Sequence, residues 1–171
     1  MISITLGGCS ALTPCGGDVA GTWNLAAGCI DDPLATSKSL CPALVVNSET
    51  ATASGSVTFA GSIVTRSYTT HYAMDVTVPP ACLTVYSCAQ IQAGYQQYIA
   101  NTSCATDTNG ACRCTGSIDS SAQQGSTFTT SNNEIVTAGG DHYAYCVSGN
   151  TLQYKHVSGP TSEIGSYTLQ K

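Results

Sequence analysis

The stretch Gly139-Gly-Asp-His-Tyr-Ala-Tyr-Cys-Val-Ser-Gly-Asn-Thr-Leu-Gln-Tyr-Lys-His-Val-Ser-Gly159 decides the fold. Two alternating runs flank Ser148-Gly149-Asn150-Thr151, and the central Gly-Asn tolerates the positive φ that tight hairpin turns demand. With Gly149 and Asn150 at the turn, Val147 stands opposite Leu152, Tyr145 opposite Tyr154 and Tyr143 opposite His156. One face then carries Tyr143, Tyr145, Val147, Leu152, Tyr154 and His156. The other carries His142, Ala144, Cys146, Gln153 and Lys155. A slip of one residue would swap the faces, so the pattern fixes the register.

Around this hairpin the last third of the chain reads as short strands, about 114–121, 125–130, 134–138, 142–148, 151–157 and 165–170. Their turns are Ser131-Asn132-Asn133, Gly139-Gly140-Asp141 and Gly149-Asn150. Upstream, Ile63–Val78 alternates along its whole length. Val64, Tyr68, Tyr72, Met74, Val76 and Val78 share one face; Thr65, Ser67, Thr69, His71, Asp75 and Thr77 share the other. That is a strand with one buried and one wet side. Arg66 interrupts the buried face, which places it at the mouth of the core. A strand from Ala43 to about Ala53 is broken at Gly55 and followed by Ser56–Ala60, with Gly61-Ser62 as a turn. The first strand is Gly21–Cys29, with Trp23, Leu25 and Ala27 on one face. Residues 33–40 read as a loop closed by Cys41.

Pro79-Pro80 stops the long strand. Ser87-Cys88-Ala89-Gln90 has the form of a capping box, and Cys88, Ile91, Tyr95, Tyr98 and Ile99 fall on one stripe, so a single helix is expected near 87–100. Short connections make consecutive strands antiparallel neighbours. The expected fold is therefore all-β with one helix: a disulfide-stabilised, up-and-down antiparallel β-barrel of about 8–10 strands, which removes exposed edges. A two-sheet β-sandwich is the alternative. Residues 1–19 form an N-terminal segment tied by cysteines, and 20–171 a single barrel domain.

Charged residues make up 9% of the 171, against about 25% in ordinary soluble proteins; Ser and Thr fill much of the gap. A net charge of −5 with five basic residues excludes nucleic acid and anionic membrane surfaces as partners, because too few cations are present to displace counterions. Ten cysteines read as about five disulfides in an oxidising compartment: Cys9, Cys15, Cys29, Cys41, Cys82, Cys88, Cys104, Cys112, Cys114 and Cys146. Zinc is the rival reading. It usually shows paired ligand knuckles, and Cys112-Arg113-Cys114 has no second one. Neither metal nor cofactor is expected. Asp107-Thr108-Asn109-Gly110 resembles half of a calcium loop but lacks the later Glu, so a disulfide-held turn is preferred. No apolar run approaches the roughly 20 residues of a membrane helix. Leu6-Gly7-Gly8-Cys9 has the form of a lipobox, which would put a lipid anchor on Cys9. Met1–Thr5 supplies no basic or apolar leader for it, and lipidation would leave an odd thiol. Asn101-Thr102-Ser103 is a glycosylation sequon in a eukaryotic host.

Gly21-Thr22-Trp23 resembles the Gly-x-Trp opening of lipocalins and related calycin barrels. That resemblance implies an eight-stranded barrel with the Trp plugging one end and a small hydrophobic ligand inside. The chain departs from the family in two ways. The Arg that packs over the Trp has no clear counterpart, Lys155 being the nearest basic candidate, and the helix sits between strands. A wider likeness rests on Cys15-Gly16-Gly17-Asp18, Gly21-Thr22-Trp23, Cys112-x-Cys114 and Tyr145–Leu152. It is to uncharacterised cysteine-rich bacterial secreted proteins and lipoproteins, and it implies a barrel-like fold and a secreted or cell-envelope location but no activity.

Catalytic patterns are sparse. No Gly-x-Ser-x-Gly elbow, His-Glu-x-x-His or phosphate loop is present. The carboxylates Asp75, Asp119, Glu134, Asp141 and Glu163 are scattered, and no pair suited to glycoside cleavage is singled out. His71 and Asp75 share a face but lie about 13 Å apart along an extended strand. The expected function is therefore non-enzymatic: binding of a small amphipathic or hydrophobic ligand in an interior lined by Trp23, Tyr68, Tyr72, Met74, Tyr143, Tyr145, Tyr154 and His156. Tyrosine suits such a pocket, with its apolar body and polar tip. The alternative is a filled barrel serving as a structural or adhesive surface protein, whose partners are further copies or an envelope protein. A hydrolase is the third reading.

Overall fold

The computed structural model describes residues 1–160 and 165–171. Its strands are β1 (Ile2–Leu6), β2 (Gly21–Ile30), β3 (Val45–Ala60), β4 (Ile63–Val78), β5 (Ser103–Thr106), β6 (Cys112–Ser131), β7 (Glu134–Thr137), β8 (His142–Ser148), β9 (Thr151–Ser158) and β10 (Ser166–Gln170). Two α-helical segments join them, α1 (Ala35–Leu40) and α2 (Cys88–Gln96). All ten strands belong to one sheet, ordered β4-β3-β1-β2-β10-β9-β8-β7-β6-β5. β4 also pairs with β6, so the succession of hydrogen-bonded neighbours closes on itself.

The opening hairpin forms in the register that its alternation requires. Tyr143 pairs with His156, Tyr145 with Tyr154 and Val147 with Leu152, and Gly149 turns at φ +57°. The predicted strands at 114–121 and 125–130 are one continuous β6, because nothing between them forces a turn. β7 to β10 follow as a meander. One pairing departs from the antiparallel expectation: β1 runs parallel to β2, with Ile4 opposite Gly28 and Leu6 opposite Ile30. The connection 7–20 is long enough for the crossover that a parallel pair needs. The N-terminal segment thus contributes a strand to the sheet.

Three further differences have local causes. Gly55 does not break β3, which runs through it at φ +157°; a Cβ there would collide with Ser67 O and Tyr68 Cα, so glycine lets β3 and β4 come close. β2 carries a bulge at Ala26, since Thr168 pairs with Ala27 while Leu169 pairs with Leu25. The extra residue shifts the phase, so Ala27 is exposed and does not share the face of Trp23. Residues 35–40 turn as a short helix inside the expected loop. The capping box on α2 is as read: Ser87 Oγ accepts from Gln90 N–H, and Gln90 Oε1 accepts from Ser87 N–H at 2.8 Å.

The contacts divide the chain into two compact units. The first comprises Met1–Asp32, Thr52–Thr70 and Ser121–Lys171. Its core is Val19, Trp23, Val57, Phe59, Val64, Ile135, Tyr143, Tyr145, Leu152, Tyr154 and Leu169. Trp23 is fully buried, its Nε1 donates to Val19 O at 2.7 Å, and Lys171 Nζ stands 4.2 Å from the ring centroid. The cation over Trp23 is therefore Lys171, where the sequence pointed to Lys155. Cys9–Cys29 and Cys15–Cys146 close within this unit. Of the two readings that the sequence left open for Cys9, disulfide and lipid anchor, the structure shows the disulfide. The second straps the N-terminal segment to β8, where Cys15 and Gly16 N–H both donate to Tyr145 O.

The second unit comprises Pro33–Ala51 and His71–Ser120. Leu34, Met74, Val76, Val78, Ile99, Cys112 and Cys114 are buried in its core. Three bridges close within it: Cys41–Cys82, Cys88–Cys112 and Cys104–Cys114. All ten cysteines are paired. Asp107 Oδ1 accepts from Asn109 and Ala111 N–H at 2.8 and 2.9 Å. These bonds hold the turn between β5 and β6.

Candidate functional site

The first unit contains a partly open cavity of about 750 Å³ with a mainly apolar wall. The wall follows from strand alternation. Val64, Arg66 and Tyr68 point from one face of β4, Tyr143 comes from β8, Tyr154 from β9, and Tyr167 and Leu169 from β10. Three of the tyrosines touch in succession. Tyr143 and Tyr154 meet edge to face with ring centroids 5.9 Å apart, and Tyr154 and Tyr167 lie 5.4 Å apart at 34°. These are favourable aromatic geometries.

Two charged groups line the same space. Arg66 lays its guanidinium 4.3 Å from the Tyr143 ring centroid and 5.9 Å from that of Tyr154, and Nη1 donates to Tyr143 Oη at 2.8 Å. Stacking desolvates a guanidinium at less cost than an ammonium. Asp141 is the buried acid of the wall. Behind it, His156 Nε2 lies 3.4 Å from Asp141 Oδ1, long for a hydrogen bond, and the imidazole packs edge-on to Tyr143 at 5.2 Å. Gly125 on β6 also lines the cavity, and a Cβ there would meet no atom within 4 Å.

Of the eight side chains expected to line one interior, Tyr68, Tyr143 and Tyr154 line this cavity. Trp23 and Tyr145 are packed in the core of the same unit, Tyr145 Oη donating to Gly17 O at 3.1 Å. His156 stands behind Asp141. Tyr72 and Met74 belong to the core of the second unit, where Tyr72 Oη donates to Glu49 Oε1 at 2.8 Å. Sequence reasoning missed Tyr167, Arg66 and Asp141 as wall residues. Arg66 has the same parity as Val64 and Tyr68, and Tyr167 alternates with Leu169's neighbours on the last strand. Those were the available signals.

The remaining candidate groups form pairs outside the cavity. His71 Nδ1 lies 2.8 Å from Asp119 Oδ1 and His142 Nδ1 lies 2.9 Å from Glu134 Oε2. Asp75 accepts from Arg113 Nε at 3.0 Å and from Asn47 Nδ2 at 2.9 Å. The Arg113 hydrogen bonds, then that of Asn47, hold the Asp75 carboxyl below the usual carboxylate range, and the same ion pair raises Arg113. Glu163 lies outside the described residues. The distant partners Asp119 and Asp75–Arg113 follow from strand pairing, which spacing along one strand does not reveal. No protein-family model, no curated protein and no solved structure matches the chain.

Proposed function

We propose that this protein is a non-enzymatic binder of a small amphipathic or hydrophobic molecule, held in the tyrosine-walled cavity of the first unit. The observation that carries this reading is the cavity itself. Its volume of about 750 Å³ falls within the roughly 300–1,000 Å³ of small-molecule sites, and a self-filled core would leave no such space. Four tyrosines offer apolar ring area, while Arg66, Asp141 and the phenol groups offer a few polar contacts that would orient a ligand. The closed strand order and the burial of Trp23 beneath Lys171 support a lipocalin-like barrel. Five disulfides suit an oxidising setting, which supports a secreted or cell-envelope location.

A structural or adhesive role is the second reading. It draws on the exposure of Leu40, Val85, Tyr86 and Tyr98 in the second unit, large apolar side chains of the kind that contact surfaces use.

Titration of the oxidised chain with an environment-sensitive amphipathic dye such as anilinonaphthalene sulfonate tests the first reading. Saturable binding of one dye per chain is expected. Gly125→Trp, which adds bulk at the wall without a backbone collision, should weaken it by roughly tenfold or more, as expected when a pocket is filled, at an unchanged thermal midpoint. Equal binding by a folded Gly125→Trp variant would move the ligand site out of this cavity and sink the proposal.

A further inference from the structure

Behind the cavity wall lies a titratable group, His156. The β8–β9 register sets it opposite Tyr143, and alternation puts both side chains on the inner face. The imidazole is 10% exposed and the Asp141 side chain 11%. Nε2 stands 3.4 Å from Asp141 Oδ1 yet forms no hydrogen bond among the described residues. A buried polar atom left unpaired costs stability, so it calls for a reason. Asp141 has little room to withdraw. Gly159 passes beside it at φ +137°, where a Cβ would collide with the Asp141 carboxylate and Cα. Imidazole is the side chain that ordinarily changes charge between about pH 5 and 8. Proton uptake by His156 turns a contact without a hydrogen bond into a charge-assisted one.

Of the residues that line the cavity, only Arg66 and Asp141 are of charged types. With His156 neutral their charges cancel, and with His156 protonated the three groups together carry one net positive charge. The other groups around His156 do not share this role. On β8, Tyr143 packs its ring against the imidazole at 5.2 Å, and His142 turns to Glu134, with Nδ1 2.9 Å from Oε2. On β4, Arg66 lies across the Tyr143 ring at 4.3 Å. On β9, Lys155 has the opposite parity and pairs with Ala144 and Ser166. On β10, Tyr167 reaches Tyr154. Phenols ionise only well above neutrality, and Glu163 lies outside the described residues. We infer that the ligand of this cavity is an amphipathic anion and that protonation of His156 strengthens its binding, so that the site loads in acid and releases as pH rises. This rests on the cavity being the ligand site. The imidazolium offsets the repulsion that Asp141 exerts on an anion, in a partly buried space where charge is screened less than in water.

The test titrates the whole oxidised chain with two dyes that differ by one charge. Anilinonaphthalene sulfonate is the anion, and phenylnaphthylamine is the same ring system without the sulfonate. Between about pH 8 and about pH 5 the Kd of the anion should fall by roughly fivefold or more, while that of the neutral dye moves by less than about twofold. His156→Gln should abolish the pH effect on the anion. Asp141→Asn, which leaves Arg66 as the charge of the wall, should tighten the anion already at about pH 8. Equal Kd values for the anion at both pH values overturn the inference. So does a tightening that persists in His156→Gln, which would make Asp141 itself the titrating group. Equal tightening of both dyes overturns it as well, since that reports a fold loosened by acid. If His156→Gln fails to fold, the comparison of the two dyes on the native chain and on Asp141→Asn decides. Gly125→Trp separates this outcome from the fate of the cavity. Neutral dye that Gly125→Trp expels, with an anion indifferent to pH, keeps the cavity as the site and sinks only the role of His156. Indifference of both dyes to Gly125→Trp sinks both.

Discussion

At Trp23 the indole is fully buried, donates its only N–H to Val19 O and lies under Lys171. Trp23→Phe keeps an aromatic ring but strands the Val19 carbonyl and leaves a void. Urea unfolding should show a loss of about 2–4 kcal/mol, and stability equal to the native chain would refute the role given to that hydrogen bond. Asp75 makes a different kind of prediction, one that depends on pH. Its folded carboxyl titrates below the unfolded value because Arg113 and Asn47 bond its charged form. A depressed pKa means that the stabilisation is present above the unfolded value, about 3.9. It is lost as pH falls through the folded one. The stability gap between the native chain and Asp75→Asn should therefore be constant from pH 7 to about 5 and close below about pH 4. A gap that persists undiminished at pH 2 would show that the ion pair is not its source. Arg113 is exposed to solvent, so the gap should be small.

Among the elements, β8–β9 was the most legible in the sequence and β3 the least. Alternation and a Gly-Asn turn determine a hairpin locally, and the Tyr143–His156, Tyr145–Tyr154 and Val147–Leu152 register follows from them without knowledge of the rest. The same holds for the N-terminus of α2, whose capping box involves residues three apart. Gly55 could not be read this way. A glycine inside a strand signals either a break or a close neighbour, and the neighbour, Ser67-Tyr68, lies on another strand. The bulge at Ala26 is equally silent, since it exists only relative to β10. Gly55→Ala should lower stability by more than about 1 kcal/mol, because the added Cβ meets backbone and φ is unfavourable. The check is the denaturation midpoint, and a neutral or stabilising result would mean that β3 and β4 are not held so closely.

For the molecule as a whole, the sequence carried the sheet, the closing tendency and the disulfide content, but not the division of the interior. β3, β4 and β6 each supply residues to both units, so the one alternating face of β4 runs from Val64 and Tyr68 in the first to Tyr72 and Met74 in the second. Alternation says which side of a strand is buried and nothing about which core receives it. That is why Tyr72 and Met74 lie in the other core, while Trp23 and Tyr145 are taken up by packing within the first. The bridges respect the division: each of the five closes inside one unit. The central claim is that the cavity of the first unit receives a ligand. Two-dimensional nuclear magnetic resonance of the oxidised, isotope-labelled chain, titrated with an amphipathic aromatic probe, tests it most directly. The account predicts saturable shifts of one stoichiometry at Arg66, Tyr68, Gly125, Tyr143, Tyr154 and Tyr167, with the Tyr72 and Met74 signals unmoved. Shifts confined to the exposed residues Leu40, Val85, Tyr86 and Tyr98, or none that saturate, would contradict it.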